Sequence, residues 1–106
     1  QTDADTSLGT LRQLMAEFVA ERDWEQFHTP KNLSMAVAGE AGELVAEFQW
    51  LTAEQSTRSN MSEDKLKDVE LEIADVAIYL IRLADVLGVD ISEVVRKKLA
   101  INESRF

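Results

Sequence analysis

Carboxylate side chains recur at helical spacing in two separate stretches of the sequence. Glu40, Glu43 and Glu47 stand at positions i, i+3 and i+7 within GEAGELVAEFQW (39–50), and Glu72 and Asp75 repeat the first step. Residues three or four apart share one face of a helix. If the two helices pack together, like charges about 4 Å apart repel by about 4 kcal/mol per pair at an effective dielectric of about 20. A bound divalent cation would relieve that repulsion.

The ligand chemistry of these acids favours a hard metal ion. Carboxylate oxygens without histidine or cysteine select Mg²⁺ first, with Mn²⁺ as a substitute. Chance pairs on a solvated helix face give the same spacing, and for Glu47 a solvated or supporting role is favoured. Gly39 and Gly42 each cost roughly 1 kcal/mol relative to alanine in a helix. They leave room there for another backbone, a metal or a ligand to come close.

Other catalytic chemistries lack the residues that they need. Glu25-x-x-His28 matches a di-iron motif once, but such a site needs the motif twice and His28 is the only histidine. With no cysteine, zinc sites and histidine-activated nucleophiles are also unsupported. We therefore expect His28 to be a loop or packing residue. No glycine-rich phosphate loop is found in the sequence.

The charge of the chain limits its partners. Eleven basic and twenty acidic residues give a net charge of −9, which argues against a nucleic-acid polymer or an anionic membrane as partner. A small phosphorylated ligand remains compatible if metal ions invert the local charge. No apolar run approaches the roughly 18 residues of a membrane span, and no signal peptide opens the sequence. A cytoplasmic location is the expectation.

Apolar residues recur at helical spacing along the chain, with no sustained strand alternation. They predict four helices, at roughly 6–23, 30–52, 62–87 and 90–104. Thr29 before Pro30 and Ser62 are suitable N-caps, Gly88 is a suitable stop, and Asp90 with Glu93 resembles a capping box. The polar stretch 52–60 has loop composition. The prediction is an all-α antiparallel four-helix bundle that forms one domain over residues 1–106.

Two motifs together resemble the all-α nucleoside triphosphate pyrophosphohydrolases, the MazG-like superfamily. GEAGELVAEFQW followed by EIADVAIYL (72–80) is similar to the superfamily's E-x-x-E, gap, E-x-x-D pattern, with 28 residues between Glu43 and Glu72. AERDWEQFHTPKNL (20–33) and KKLAIN (97–102) extend the resemblance over residues 8–106. It implies an oligomeric bundle, Mg²⁺ as cofactor, and Glu40, Glu43, Glu72 and Asp75 as metal ligands.

The resemblance also implies a reaction. Such enzymes cleave a nucleoside triphosphate between its α and β phosphates, and dCTP is the expected preferred dNTP, in a nucleotide-pool cleaning role. Glu43 is our candidate for the base that accepts the proton of the attacking water. Two alternatives stay open. One is a broad-specificity or modified-dNTP pyrophosphatase, and the other is a non-catalytic acidic helical oligomerisation protein.

Five further positions match the substrate residues of the superfamily: Trp24, Trp50, Tyr79, Lys98 and Asn102. The alternative for both tryptophans is a role as core aromatics, and for Lys98 it is a solvated surface position. Met15 departs from the histidine of eukaryotic relatives, which puts the base preference in doubt. The resemblance further implies a homotetramer built as a dimer of dimers.

Overall fold

The computed structural model describes residues 1–105, so Phe106, the last residue of the predicted domain, lies outside it. The described residues form four α-helices and no strand: α1 (Leu8–Glu21), α2 (Pro30–Ala46), α3 (Glu63–Leu87) and α4 (Ile91–Arg105). Short 3₁₀ turns lie at Glu25–Phe27 and Arg58–Asn60. The predicted all-α class and the number of helices are confirmed. Within 1–105, no helix is long and apolar enough to cross a bilayer.

The helix ends are set by the residues that the sequence singled out. Thr29 accepts a hydrogen bond from the backbone N–H of Asn32 with Pro30 behind it, and Ser62 caps α3 in the same way. Gly88 ends α3 in the left-handed conformation (φ 68°), which glycine adopts without a Cβ penalty. Asp90 accepts a hydrogen bond from the N–H of Glu93 at 2.9 Å. The Glu93 carboxylate pairs with Lys97 instead of completing the capping box.

The predicted end of α2 is wrong. The helix stops at Ala46 rather than at residue 52, and residues 47–50 form turns. The N–H groups of Glu47 and Phe48 bond three residues back, to Leu44 and Val45, so the last turn tightens instead of continuing the α-helix. The apolar periodicity runs on past this point, which is why the sequence pattern extended the helix. Trp50 therefore lies in a turn and not on a helix face.

Helix α3 is the central element. It packs most extensively against α2 and less against α1. Cross-helix partners show that α2 and α3 are antiparallel, because Glu47 pairs with Lys65 while His28, just before α2, bonds to Arg82 near the other end of α3. The side chains of α4 are almost all exposed. The described chain is thus a three-helix unit with α4 at its side, rather than a closed four-helix bundle.

Few apolar side chains are buried within the chain. Val19, Leu33, Val69, Ile81 and Ala84 form the core. The apolar residues that recur at helical spacing along α3 are only partly buried, because Ile73 and Leu87 are more than half exposed. The radius of gyration is 16.1 Å, whereas a compact chain of this length has about 13 Å. The single chain therefore leaves large apolar surfaces uncovered.

Candidate metal centre and adjoining cleft

The packing of α2 against α3 brings three of the predicted metal ligands together. Each of Glu40, Glu72 and Asp75 offers a carboxylate oxygen, and these oxygens lie within 4.8 Å of one another. All three residues are half-buried. Glu72 and Asp75 share a face of α3 because they are three residues apart, and Glu40 reaches them from α2. The spacing in the sequence thus becomes one acidic group between the helices.

Glu72 is the most constrained member of this acidic group. Its Oε2 atom is buried and has no hydrogen-bond partner among residues 1–105. The pKa of Glu72 is raised, first by desolvation and then by the negative charges of Asp75, Glu43, Glu40 and Glu47. Burying an unpaired carboxylate among like charges is unfavourable. The group therefore fits a hard divalent cation, which would supply the missing partner and balance the charge.

Glu43 and Glu47 occupy different positions from the three clustered acids. Glu43 is exposed and outside the group of oxygens within 4.8 Å, although its charge still contributes to the raised pKa of Glu72. Glu47 is half-buried and pairs with Lys65 of α3 at 2.8 Å. Its carboxylate is therefore engaged in a bridge between the helices, as the supporting role favoured from the sequence requires.

The two glycines beside the acids face open space. A Cβ atom built on Gly39 or Gly42 would meet no atom within 4 Å in the described part of the chain. No other segment of residues 1–105 therefore needs these glycines for its own close approach. Of the roles predicted from the sequence, the glycines could still leave room for a metal, a ligand or the backbone of a second chain.

An apolar cleft lies next to the acidic group. It has a volume of about 280 Å³ and is lined from α1 by Met15 and Phe18, from α3 by Ile78 and Tyr79, and by His28. Tyr79 stands one helical turn after Asp75 on α3, so this part of the cleft wall lies about one turn from the acidic group. Its wall is almost wholly apolar, which suits a flat ring better than a phosphate.

The two tryptophans are both exposed. Trp24 follows α1, is 44% exposed and packs edge-on against Phe18 with the ring centroids 5.7 Å apart. The guanidinium group of Arg22 lies over the ring of Phe18, 3.4 Å from its centroid. Trp50 is 87% exposed. Within this single chain neither tryptophan is a core aromatic.

The two predicted substrate residues of α4 are not brought to the acidic group. Lys98 is exposed and Asn102 is half-buried on this helix. Neither makes a hydrogen bond or ion pair with Glu40, Glu72 or Asp75 in the part of the chain that the structure describes. Their assigned role stays a prediction.

The sequence did not predict a buried ionic chain that starts at the wall of the cleft, where Arg82 is one of the lining residues. Arg82 is 9% exposed, donates from Nε to Nδ1 of His28 at 3.2 Å, and donates from NH1 to Asp85 at 3.0 Å. Asp85 also lies 3.6 Å from the Nε of Arg12. The NH2 group of Arg12 donates to the backbone carbonyl oxygen of Val89. The available signal was a single arginine inside the apolar run AIYLIRLADVL (77–87). An arginine there needs buried partners.

Comparison with known proteins assigns the family. The model of the MazG-like family matches residues 36–105, which include all four predicted metal ligands. The chain belongs to the MazG-like family.

Two relatives and one solved structure resemble the chain. dCTP pyrophosphatase 1 from Homo sapiens is 43% identical over 102 residues, which are 96% of this chain and 60% of the human protein. The chain thus spans about 60% of the length of the dCTP pyrophosphatases that it matches. A pyrophosphatase from Archaeoglobus fulgidus superposes with a TM-score of 0.84 at 36% identity, covering 93% of this chain and 91% of the other. A dATP/dGTP diphosphohydrolase from Cyanophage S-2L is 57% identical over 35 residues, 33% of each chain.

Proposed function

We propose that this protein is a Mg²⁺-dependent pyrophosphohydrolase that converts dNTPs, dCTP above all, to dNMP and pyrophosphate. The observation that carries the proposal is the orphaned, buried Oε2 of Glu72 among the carboxylates of Glu40 and Asp75. If Glu72 served only folding, its Oε2 would accept a hydrogen bond from a protein donor. In a metal site this oxygen has no protein donor and can bind the ion. Support comes from the extensive similarity to proteins named dCTP pyrophosphatase.

Glu40, Glu43, Glu72 and Asp75 are the proposed ligands. When bound, a hard divalent ion would neutralise the triphosphate and lower the pKa of an attacking water. The chain itself provides an acidic group that is costly without a cation and therefore preorganised to take one up. Glu43 is exposed and outside the tight oxygen group, so one of its carboxylate oxygens could reach the ion while the other accepts a proton from water. We assign it that role of general base.

The base and sugar are assigned to the apolar cleft. Tyr79 joins the cleft to the acidic group, so a nucleotide with its phosphates at the acids directs its ring toward Met15 and Phe18. Trp24 and Trp50 are exposed and available for stacking. For Lys98 a contact to phosphate is proposed, and for Asn102 a contact to the sugar or to a base edge. Both would come from α4 of another subunit, because α4 stands apart within its own chain.

The uncovered apolar surface supports homo-oligomerisation, and a dimer of dimers is the assembly that we propose. A groove of about 310 Å³ between α3 and α4 is lined by apolar residues, among them Leu80, Leu87 and Val95, with no polar wall. Contiguous apolar surface of this kind marks an interface. Sedimentation equilibrium of the purified chain measures the stoichiometry, and a monomer at micromolar concentration would refute this part of the proposal.

Two alternatives are decided by the same assay. The local identity with the cyanophage dATP/dGTP diphosphohydrolase, together with Met15 in the cleft, favours a broader dNTP range as the second candidate. The non-catalytic oligomerisation protein remains the candidate of another class. Each of the four dNTPs and 5-methyl-dCTP is incubated with protein and Mg²⁺, with EDTA as control, and the products are separated by ion exchange.

The expected products are dNMP and pyrophosphate, formed fastest from dCTP and abolished by EDTA. Comparable rates for dATP or dGTP would favour the broader enzyme. Formation of dNDP and orthophosphate would refute the assigned bond, and absence of turnover with every dNTP would refute the enzyme.

A further inference from the structure

Helix α4 joins the rest of the chain through a short link, residues 88–90. Packing between helices joins α2 to α3 and, less extensively, α1 to α3. The side chains of α4 are exposed apart from Ile91 and Asn102, which are half-buried. An open groove of about 310 Å³ lies between α3 and α4, so the two helices do not pack closely along their lengths. Within residues 1–105, the direction of α4 is therefore set by the link.

The backbone of the link is hydrogen-bonded to three helices. The N–H of Val89 donates to the carbonyl oxygen of Ala84 at 2.8 Å, in the turn that ends α3. Asp90 caps α4, because its side chain accepts from the N–H of Glu93 at 2.9 Å. The carbonyl oxygen of Val89 accepts a hydrogen bond from the NH2 group of Arg12, which belongs to α1. Arg12 thus connects a third helix to the point where α4 leaves α3.

Arg12 is oriented by α3 before it reaches the link. The carboxylate of Asp85 lies 3.6 Å from its Nε and also accepts from the NH1 group of Arg82 at 3.0 Å. All three side chains are partly or largely buried. A guanidinium group is a planar fork of donors, so one arginine can contact a carboxylate and a carbonyl oxygen at the same time. The Arg12 fork is therefore held on one side by Asp85 and holds Val89 with the other.

The first turns of α1 and α4 come close together around this arginine. They enclose a small cavity of about 70 Å³, whose wall includes Gly9 and Arg12 from α1 and Asp90 and Ser92 from the start of α4. Arg12 therefore stands at the junction of α1, α3 and α4. Its bond to Val89 is the hydrogen bond across this junction that fixes the link from the side of α1.

A small tilt at the link is amplified along α4. At about 1.5 Å per residue, Lys98 lies about 10 Å and Asn102 about 17 Å from the start of the helix. A tilt of about 10° would then move Lys98 by about 2 Å and Asn102 by about 3 Å. A displacement of about 1 Å in a group that positions a substrate can lower the rate about 100-fold. The direction of α4 therefore matters for any contact that these two side chains make.

We propose that Arg12 is a positioning residue, whose bond to the carbonyl oxygen of Val89 sets the direction of α4 and thereby places Lys98 and Asn102. The inference rests on the proposed function, because it takes these two side chains to contact the substrate in the site of another subunit. Arg12 acts through the helix and not on the substrate. It does not line the apolar cleft, and its partners within residues 1–105 are Asp85 and Val89.

The direction of α4 is measured first, without reference to activity. The chain has no cysteine, so Glu70→Cys on α3 and Glu103→Cys on α4, both exposed positions, take one spin label each. Labelled chains are assembled with an excess of unlabelled chains, so that each measured pair lies within one chain. Double electron–electron resonance should give a narrow distance distribution. In Arg12→Met it should shift or broaden by about 3 Å, and in Gln13→Met, an exposed neighbour on α1, it should stay unchanged.

Kinetics then test what the direction is for. Arg12→Met should lower kcat/KM for dCTP about 10- to 100-fold, because Lys98 and Asn102 are displaced. In a chain that already carries Lys98→Ala and Asn102→Ala, the same change should lower kcat/KM by less than about three-fold, since α4 then has no contact left to place. Gln13→Met is again the control and should keep the wild-type rate. An arginine that served stability alone would give losses that multiply.

Each outcome decides a different claim. An unchanged distance distribution in Arg12→Met would overturn the inference, because packing between subunits would then set the direction of α4. Multiplying kinetic losses, or an unchanged kcat/KM in an active enzyme with a shifted α4, would overturn it as well. If Arg12→Met does not fold by circular dichroism, Arg12→Lys replaces it and should also broaden the distribution, because a lysine cannot hold Asp85 and Val89 together. A wild type that releases pyrophosphate from no dNTP refutes the proposed function, whereas the distance measurement still decides whether Arg12 directs α4.

Discussion

Replacing Trp50 with alanine separates nucleotide binding from folding. Its side chain is 87% exposed, so about one eighth of a surface of roughly 250 Å² is buried within the chain. At about 25 cal/mol per Å², Trp50→Ala costs at most about 0.8 kcal/mol of unfolding free energy. A tryptophan in a core costs about 3–5 kcal/mol. The melting temperature should therefore move by only a few degrees.

The kinetic effect of the same change should be large. Stacking of a base on an aromatic ring contributes about 1–3 kcal/mol, which corresponds to a rise of about 5- to 150-fold in KM for dCTP. kcat should change little, because stacking is equally strong before and during the reaction. The assay is initial-rate pyrophosphate release over a range of dCTP concentrations, beside a thermal melt in EDTA. Gln49→Ala, an exposed neighbour in the same turn, is the control and should leave both values unchanged.

An unchanged KM together with a melting temperature lowered by more than about 12 °C would refute the reasoning. That shift corresponds to a loss of about 3 kcal/mol in a chain of this size. Trp50 would then be buried in the assembled protein for stability, with no part in binding the base.

Three further predictions concern the surroundings of the acids. In Gly42→Ala the added Cβ meets no atom within 4 Å among residues 1–105, so the variant should stabilise the apo protein by up to about 1 kcal/mol yet reduce turnover. A thermal melt and a pyrophosphate assay measure the two effects, and full turnover would mean that no ligand, metal or second chain uses the space. Lys65→Met removes the partner of Glu47 and should lower the apo unfolding free energy by about 1 kcal/mol, measured by urea titration. An unchanged urea midpoint would show that this ion pair does not stabilise the packing of α2 against α3. The raised pKa of Glu72 means that the folded state holds its proton more tightly. The unfolding free energy of the apo protein should therefore fall as pH rises from the ordinary glutamate pKa through the raised one. Urea midpoints measured in EDTA should show this decrease in the wild type, and the contribution of Glu72 to it should be absent in Glu72→Gln.

The helices could be predicted because their signals are local. Thr29, Ser62 and Gly88 act on backbone groups within one turn, so the residue type alone fixes where the helix begins or ends. The end of α2 was missed because no such residue stands after Ala46, and the apolar period continues into the turn. The exposure of Ile73 and Leu87 could not be predicted either, since periodicity shows which face is apolar and not what covers it.

The acidic group could be anticipated and the cleft could not. The sequence pattern predicts the group because carboxylates at helical spacing in apolar surroundings are energetically unfavourable unless something binds them. This applies to Glu40, Glu72 and Asp75. The contact of Arg82 with His28 joins residues 54 positions apart. It depends on how α3 lies against the start of α2, which no local pattern encodes. The exposure of Trp50 likewise follows from the early end of α2.

The central claim is that the acidic group exists to hold a catalytic cation, and paired thermal melts of Glu72→Gln test it most directly. In EDTA, neutralising Glu72 removes an unpaired buried charge from among like charges, so the variant should melt at or above the wild-type temperature. Glu70→Gln, an exposed acid on the same helix, is the matched control and should behave as wild type throughout.

With Mg²⁺ at a hundred-fold excess over its Kd, the wild type should gain about 2.7 kcal/mol, and Glu72→Gln should lose most of that gain. Its pyrophosphate release from dCTP should also fall by orders of magnitude. A Glu72→Gln variant that melts early in EDTA and still turns over dCTP would contradict the account, because Glu72 would then support the fold and the metal would bind elsewhere.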